Sequence, residues 1–131
     1  MTLPMAEKGL AFLVCDNDFN RLHTAFMLAA SALAMNRDII LFATGPGALV
    51  LCREGRSDPA WEKADAVLAS QGIATLMMLR DAVVSMNARL LVCETGLLRT
   101  SRNSEDLLEG VEIVGMPTFL DLSDSYKLVT F

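Results

Sequence analysis

The chain has 131 residues, 53% of them hydrophobic and 21% charged, with a net charge of -5. That length carries one domain with a proper core, read here as residues 1–131, and is short for two. The pI near 4.7 and the lack of any basic stripe argue against a nucleic-acid partner, because phosphate binding is driven by Lys and Arg displacing counterions.

The mean hydropathy of +0.40 raises the question of a membrane. The longest largely apolar run, "AFMLAASALAM" from Ala25 to Met35, is roughly half the ~20 residues that a spanning helix needs, so it reads as a buried helix and not as a membrane span. The start "MTLPMAEKG" places Pro4, Glu7 and Lys8 where a signal peptide needs a basic start and a continuous apolar core. Three widely spaced cysteines, an odd number, fit reduced thiols better than a disulfide framework. The expectation is a cytoplasmic protein, with enough surplus apolar residues to make a homo-oligomer reasonable.

Short apolar runs alternate with helical ones. "LAFLVC" (Leu10 to Cys15) suits a strand buried on both faces, and Leu22, Phe26, Ala29 and Leu33 then recur at helical spacing. Asp16, Asn17 and Asp18 are the candidate caps of that helix and Asn36 its stop. "DIILFA" (Asp38 to Ala43) is a second strand, halted by the turn residues of "TGPG". "ALVLCREG" reads as about two helical turns ending at Gly55. Pro59 after Ser57-Asp58 opens a helix closed by Gly72, and "ATLMMLRDAVVSMN" is another, with Leu76, Leu79, Val83 and Met86 on one side and Asn87 at its end. "RLLVCE" is the third strand, followed by a turn at Thr95-Gly96 and a polar loop. "SEDLLEG" reads as a short helix capped by Ser104, "VEIVG" as a fourth strand, "MPTFLDLSDS" as a helix opened by Pro117, and "KLVTF" as a fifth strand. The sum is a three-layer α/β/α fold around a five-stranded, mainly parallel sheet.

In such a sheet reactive groups collect beyond the carboxyl ends of the strands, where Cys15 and Cys93 both fall. Cys15 reads as a small packed side chain, because Asp16 and Asp18 oppose a thiolate by like charge, and Cys52 as another, on a helix between Leu51 and Arg53. Cys93 is followed by Gly96, by the hydroxyls of Thr95, Thr100 and Ser101, and by the cations Arg99 and Arg102. Donors and cations favour the thiolate, the form that attacks or carries sulfur, while Glu94 pushes the other way. From these residues alone a reactive thiol and a core side chain remain equally open.

A metal site lacks ligands at a recognisable spacing, since His23 is the one histidine and no CxxC or HxxxH occurs. His23 reads as a helix-surface or partner-contact residue. "TGPG" is not a phosphate loop, because Pro46 removes a donor and no GK[ST] or GxGxxG follows. Neither a metal nor another cofactor is expected. Helix capping accounts for Asp16 and Asp18 more simply than Mg²⁺ does. The methionines read as adaptable core or interface filler, and Trp61 as a candidate subunit contact.

Two stretches resemble the DsrE/DsrF-like family of small sulfur-relay proteins, in particular its peroxiredoxin-annotated DsrE-like branch. "FLVCDNDFNRLHTAFMLAASALAMNRDIILFAT" is similar to the family's first strand, acidic loop, small-residue helix and second strand, and "DLLEGVEIVGMPTFLDLS" to its ending. The resemblance implies that the cysteine ending the third strand, matched by Cys93, accepts sulfur as a persulfide and passes it to another protein thiol. It also implies sulfur donor and acceptor proteins as partners, and trimers or hexamers with that cysteine near a subunit boundary. The branch usually continues its cysteine with a Met-Ser-Met-like run, where this chain reads "ETGLLRTSRNSED". The expected function is that of a sulfur carrier through Cys93, with Asp16, Asn17, Thr44, Thr95 and Gly96 as ligand-binding residues at the sheet edge. The alternatives are a non-catalytic oligomeric binding or assembly module, and a small-ligand binder using Asp16, Asn17, Thr44 and Thr95.

Overall fold

The computed structural model describes residues 9–131. Strands β1 (Leu10–Val14), β2 (Ile39–Ala43), β3 (Arg89–Cys93), β4 (Glu112–Val114) and β5 (Lys127–Thr130) form one sheet in the order β4-β3-β2-β1-β5. Every pairing between them is parallel. Parallel neighbours need crossovers, and these carry α1 (Phe19–Ala34), α2 (Trp61–Ser70), α3 (Leu76–Ser85), α4 (Glu94–Arg99) and α5 (Met116–Leu122). The three-layer α/β/α reading therefore holds.

The strand order explains how unequal the two outer layers are. From β1 to β4 the chain steps in one direction, and right-handed crossovers then keep to one face; the return to β5 reverses the step and sends α5 to the other. The first face packs Phe12, Val14, Leu41 and Val92 against Leu22, Phe26 and Ala29 of α1 and Leu76 and Val83 of α3. The second face packs Ala11, Ile40, Phe42 and Leu91 against Phe119, whose ring stacks on Phe42 at 4.8 Å. That layer is thin, and Leu120 and Leu128 stay 59% and 51% exposed.

Several sequence expectations are corrected. The two helical turns expected in "ALVLCREG" are a 3-10 helix over Gly45–Leu51, which absorbs the "TGPG" turn. Cys52 lies beyond it in extended backbone and bridges Leu107, so it is not on a helix. "SEDLLEG" forms only a 3-10 turn, Ser104–Asp106, capped by Asn103 rather than Ser104. The reason is a long-range clamp: Arg56 Nε meets Asp106 Oδ1 at 2.7 Å and Arg53 N–H donates to the Asp106 carbonyl at 2.7 Å, so the backbone there answers to a distant loop. Trp61 is buried at 4% exposure and donates its indole N–H to the Asn17 carbonyl, so it is not a subunit contact. Met86, expected on one side of its helix with Leu76 and Val83, is exposed while those two are buried.

Arg80 of α3 is also buried, with Nη1 donating to the carbonyls of Val50 (3.2 Å) and Cys52 (2.7 Å), while its Nε makes no hydrogen bond and lies 3.9 Å from Asp81 Oδ1. It ties α3 to the end of the 3-10 helix, where those carbonyls would otherwise be buried without donors. Replacing it, Arg80→Ala, is expected to lower stability by about 2–3 kcal/mol, read as a fall in the urea midpoint.

Candidate functional site

The parallel register aligns the carboxyl ends of the three inner strands. Val14 pairs with Ala43 and Ala43 with Val92, so Cys15, Thr44 and Cys93 follow one another across the sheet edge. Cys93 ends β3 and serves as the N-cap of α4. The expected turn and polar loop after it are therefore a helix. Leu97 of α4 is buried in the main core, and the Thr100 hydroxyl donates to the Gly96 carbonyl at 2.8 Å, which ties the polar letters into the last turn.

Gly96 is required by packing and not by a turn. A Cβ there would stand 3.0 Å from the Gly45 nitrogen and 3.2 Å from the Ala48 Cβ, so α4 lies almost directly on the 3-10 helix. This approach brings Thr44 beside Cys93. Partial burial, the largest single influence, raises the thiol pKa. The Gly96 N–H, the Thr44 hydroxyl, and the N–H and hydroxyl of Thr95 together outweigh it and leave the pKa below that of an ordinary cysteine. Cys93 is half-buried, so part of this thiol is open to solvent.

The other cysteines differ. Cys52 is fully buried and donates to the Ala48 carbonyl at 3.6 Å, and burial pushes its thiol up against the pull of Arg102. Cys15 is exposed, one residue past the end of β1, with Sγ 3.3 Å from the Phe131 carbonyl oxygen; the packed side chain expected there is not found.

Of the expected ligand residues, Thr44, Thr95 and Gly96 are the ones that act on the Cys93 thiol and draw its pKa down. Asp16 and Asn17 are engaged elsewhere. Asp16 accepts the Asp18 N–H at 2.8 Å, and Asn17 donates to Asp58 at 3.1 Å. The cap of α1 is Asp18, which accepts the Arg21 N–H. Among the other donors and cations expected around the sulfur, Arg102 donates to the carbonyls of Arg56 and Thr100, and Arg99 lies against Gly45. His23 bonds the Ala74 carbonyl through Nε2 at 2.8 Å. Among the described residues no three His, Cys, Asp or Glu side chains gather as a metal site would need. No described helix is long and apolar enough to cross a membrane. Sequence reasoning missed Thr44 as a direct partner of the sulfur, because its signal is the pairing of β2 with β3.

A cavity of about 540 Å³ lies between Trp61, Pro59 and Met77 on the apolar side and Glu54, Glu62 and Arg102 on the polar side. No residue that contacts the Cys93 sulfur lines it.

A family match described as DsrE/DsrF-like family spans residues 8–131. Among solved structures, the protein of unknown function MTH1491 from Methanobacterium thermoautotrophicum is similar at 19% identity and a TM-score of 0.63, over 95% of this chain and 100% of its own. The ychN protein from E. coli is similar at 17% identity and a TM-score of 0.66, over 95% of this chain and 99% of its own. At such identities the likeness extends to the fold alone. No curated protein matches the chain.

The pH profile of iodoacetamide alkylation, followed by peptide mass, is expected to show Cys93 reacting with a midpoint below the ordinary thiol value. Thr44→Val, which removes one donor to the sulfur, should move that midpoint upward, while Cys52 stays unreacted until the protein unfolds.

Proposed function

Because the chain belongs to the DsrE/DsrF-like family, we propose that it is a single-domain cytoplasmic sulfur carrier whose Cys93 thiolate holds sulfane sulfur as a persulfide. The observation that supports this most is the place of Cys93, half-buried at the end of β3 and the start of α4, where Gly96, Thr44 and Thr95 draw its thiol pKa down. The thiolate attacks the outer sulfur of a donor, and the donor's thiolate leaves. The resulting Cys93 persulfide is then attacked at its terminal sulfur by an acceptor thiolate, which restores Cys93. The same donors that hold the thiolate serve as its leaving-group stabilisers in the second step, since a sulfur of lower pKa leaves faster.

The protein works as a homo-oligomer in this reading. The thin second face offers Leu120, Leu128 and Met116 to a second copy, and the strand register puts Cys93 on that face together with Leu91 and Phe42. A ligand-binding role is the second reading, favoured by the cavity beside Trp61.

Sodium polysulfide treatment followed by intact mass measurement tests the carrier. An adduct of about 32 Da per sulfur atom is expected on wild type and on Cys15→Ser, and should vanish in Cys93→Ser. An adduct that persists in Cys93→Ser, or a wild type that takes up none, would sink the reading. In sedimentation velocity the double variant Leu120→Lys, Leu128→Lys is expected to shift the protein from oligomer to monomer.

A further inference from the structure

The cavity beside Trp61 is built by segments that the sequence keeps far apart. The loop at 54–59, the first turns of α2, Met77 of α3 and Arg102 from beyond α4 meet around about 540 Å³, inside the ~300–1,000 Å³ usual for small-molecule sites. Asn17, in the turn after β1, donates to Asp58 at 3.1 Å and accepts the Trp61 indole N–H at 3.1 Å, which sets the cavity on the carboxyl side of the sheet. Ligands of parallel sheets gather on that side.

Helix starts on that side ordinarily favour anions, but here their donors are taken. Asp65 accepts the N–H groups of Leu76 (2.7 Å) and Met77 (3.2 Å), the Thr75 hydroxyl accepts that of Met78, and Asp58 accepts that of Ala60 at 3.0 Å. Arg102, the one cation of the lining, gives Nε to the Arg56 carbonyl and Nη1 to the Thr100 carbonyl. Against it stand four carboxyl groups, those of Glu54, Asp58, Glu62 and Asp65. The enclosure is electronegative, and the groups that would hold an anion are spent. An inorganic cation fits no better, because among the described residues no three His, Cys, Asp or Glu side chains gather closely enough to hold a metal. What remains is an organic cation. Trp61, Pro59 and Met77 form an apolar wall for its carbon chain, and an indole attracts an ammonium group.

We propose that this cavity binds a linear aliphatic diamine or polyamine, its methylenes along Trp61 and Met77 and its ammonium groups on separate carboxylates. Carboxylates spread around a cavity suit charges that are spread along a chain, which is the arrangement a metal ion cannot use. Asp58 and Asp65 are fixed by the bonds they accept and give the cavity a set field. Glu54 and Glu62 are exposed and free to turn toward the ammonium ends. The proposal rests on a ligand-binding role for this cavity and is independent of the chemistry at Cys93.

Trp61 is the only tryptophan of the chain, so its fluorescence reports from the cavity wall. Titration with spermidine or hexamethylenediamine is expected to change that emission saturably and to raise the Tm, in wild type and in Cys93→Ser alike. In the double variant Glu54→Gln, Glu62→Gln the titration midpoint should rise roughly five- to tenfold while the Tm of the unliganded protein stays where it was. Hexylamine, with the same carbon chain and one ammonium, should bind more weakly than the diamine. A midpoint unchanged in the double variant, or equal for hexylamine and the diamine, overturns the proposal. So does an emission change that never saturates, which would mean diffuse attraction to the net charge of -5. Saturation by inorganic phosphate or benzoate where the amines give none would overturn the amine assignment and leave the ligand-binding role standing, whereas no saturable change with any of these probes would overturn both.

Discussion

The geometry of the sheet edge depends on one contact, the near-touch of α4 with the 3-10 helix through Gly96, Gly45 and Ala48. A Cβ at position 96 would stand 3.0 Å from the Gly45 nitrogen, so α4 and the 3-10 helix would have to move slightly apart. Thr44 and Arg99 both owe their places to this contact, one carried by the strand end below it and the other by the helix above. The 3-10 helix is held at its far end too, where Arg80 takes the carbonyls of Val50 and Cys52. At its start Gly47 runs so close to β1 that a Cβ would stand 2.6 Å from the Val14 carbonyl oxygen. A site built between two such anchors is set by core packing, and its donors keep their aim without reorganising when a charge forms.

The three thiols show how much environment decides. Cys52 is sealed in the core and its burial works against ionisation. Cys15 lies where the strand order reverses, between β1 and β5, the place at which parallel sheets usually open a crevice. Here that opening is filled: Phe131 donates to the Leu13 carbonyl, accepts from the Cys15 N–H, and stacks on Phe12 with ring centres 5.7 Å apart. Cys93, two strands away, is the thiol surrounded by donors. Its thiolate is favoured by neutral polar groups of Gly96, Thr44 and Thr95 and not by an ion pair, so its stabilisation is expected to be little affected by salt.

What the sequence made legible was whatever depended on neighbours along the chain. Buried strands announce themselves as apolar runs, which is why "LAFLVC", "DIILFA" and "RLLVCE" mark β1, β2 and β3 to within a residue at each end. The capping of α1 and the glycine that closes the turn after α2 were local as well. The errors cluster where a residue answers to a partner far away in sequence. Gly96 reads as a turn residue until the backbone of Gly45 is seen against it, and Trp61 as a surface contact until its indole is found on Asn17. Asp16 and Asn17 carried the right chemistry for a ligand, yet the loop spends their side chains on its own backbone and on Asp58. Cys93 itself was visible as a strand end, but the partner that tunes it, Thr44, became visible only through the pairing of β2 with β3.

The reversal that sends α5 alone to the second face would also link the proposed assembly to the chemistry. Side chains alternate across a strand, so Cys93 shares that face with Leu91 and packs on the same cluster as Phe42 and Phe119. A second copy covering Leu120 and Leu128 would exclude water from the neighbourhood of the thiol. Exclusion of water raises a thiol pKa, as Cys52 illustrates within the same molecule. Donors supplied by the chain itself survive such burial, and they gain strength as the local dielectric falls. The arrangement of Thr44, Thr95 and Gly96 would thus suit the proposed carrier, whose sulfur would have to stay nucleophilic inside the proposed assembly.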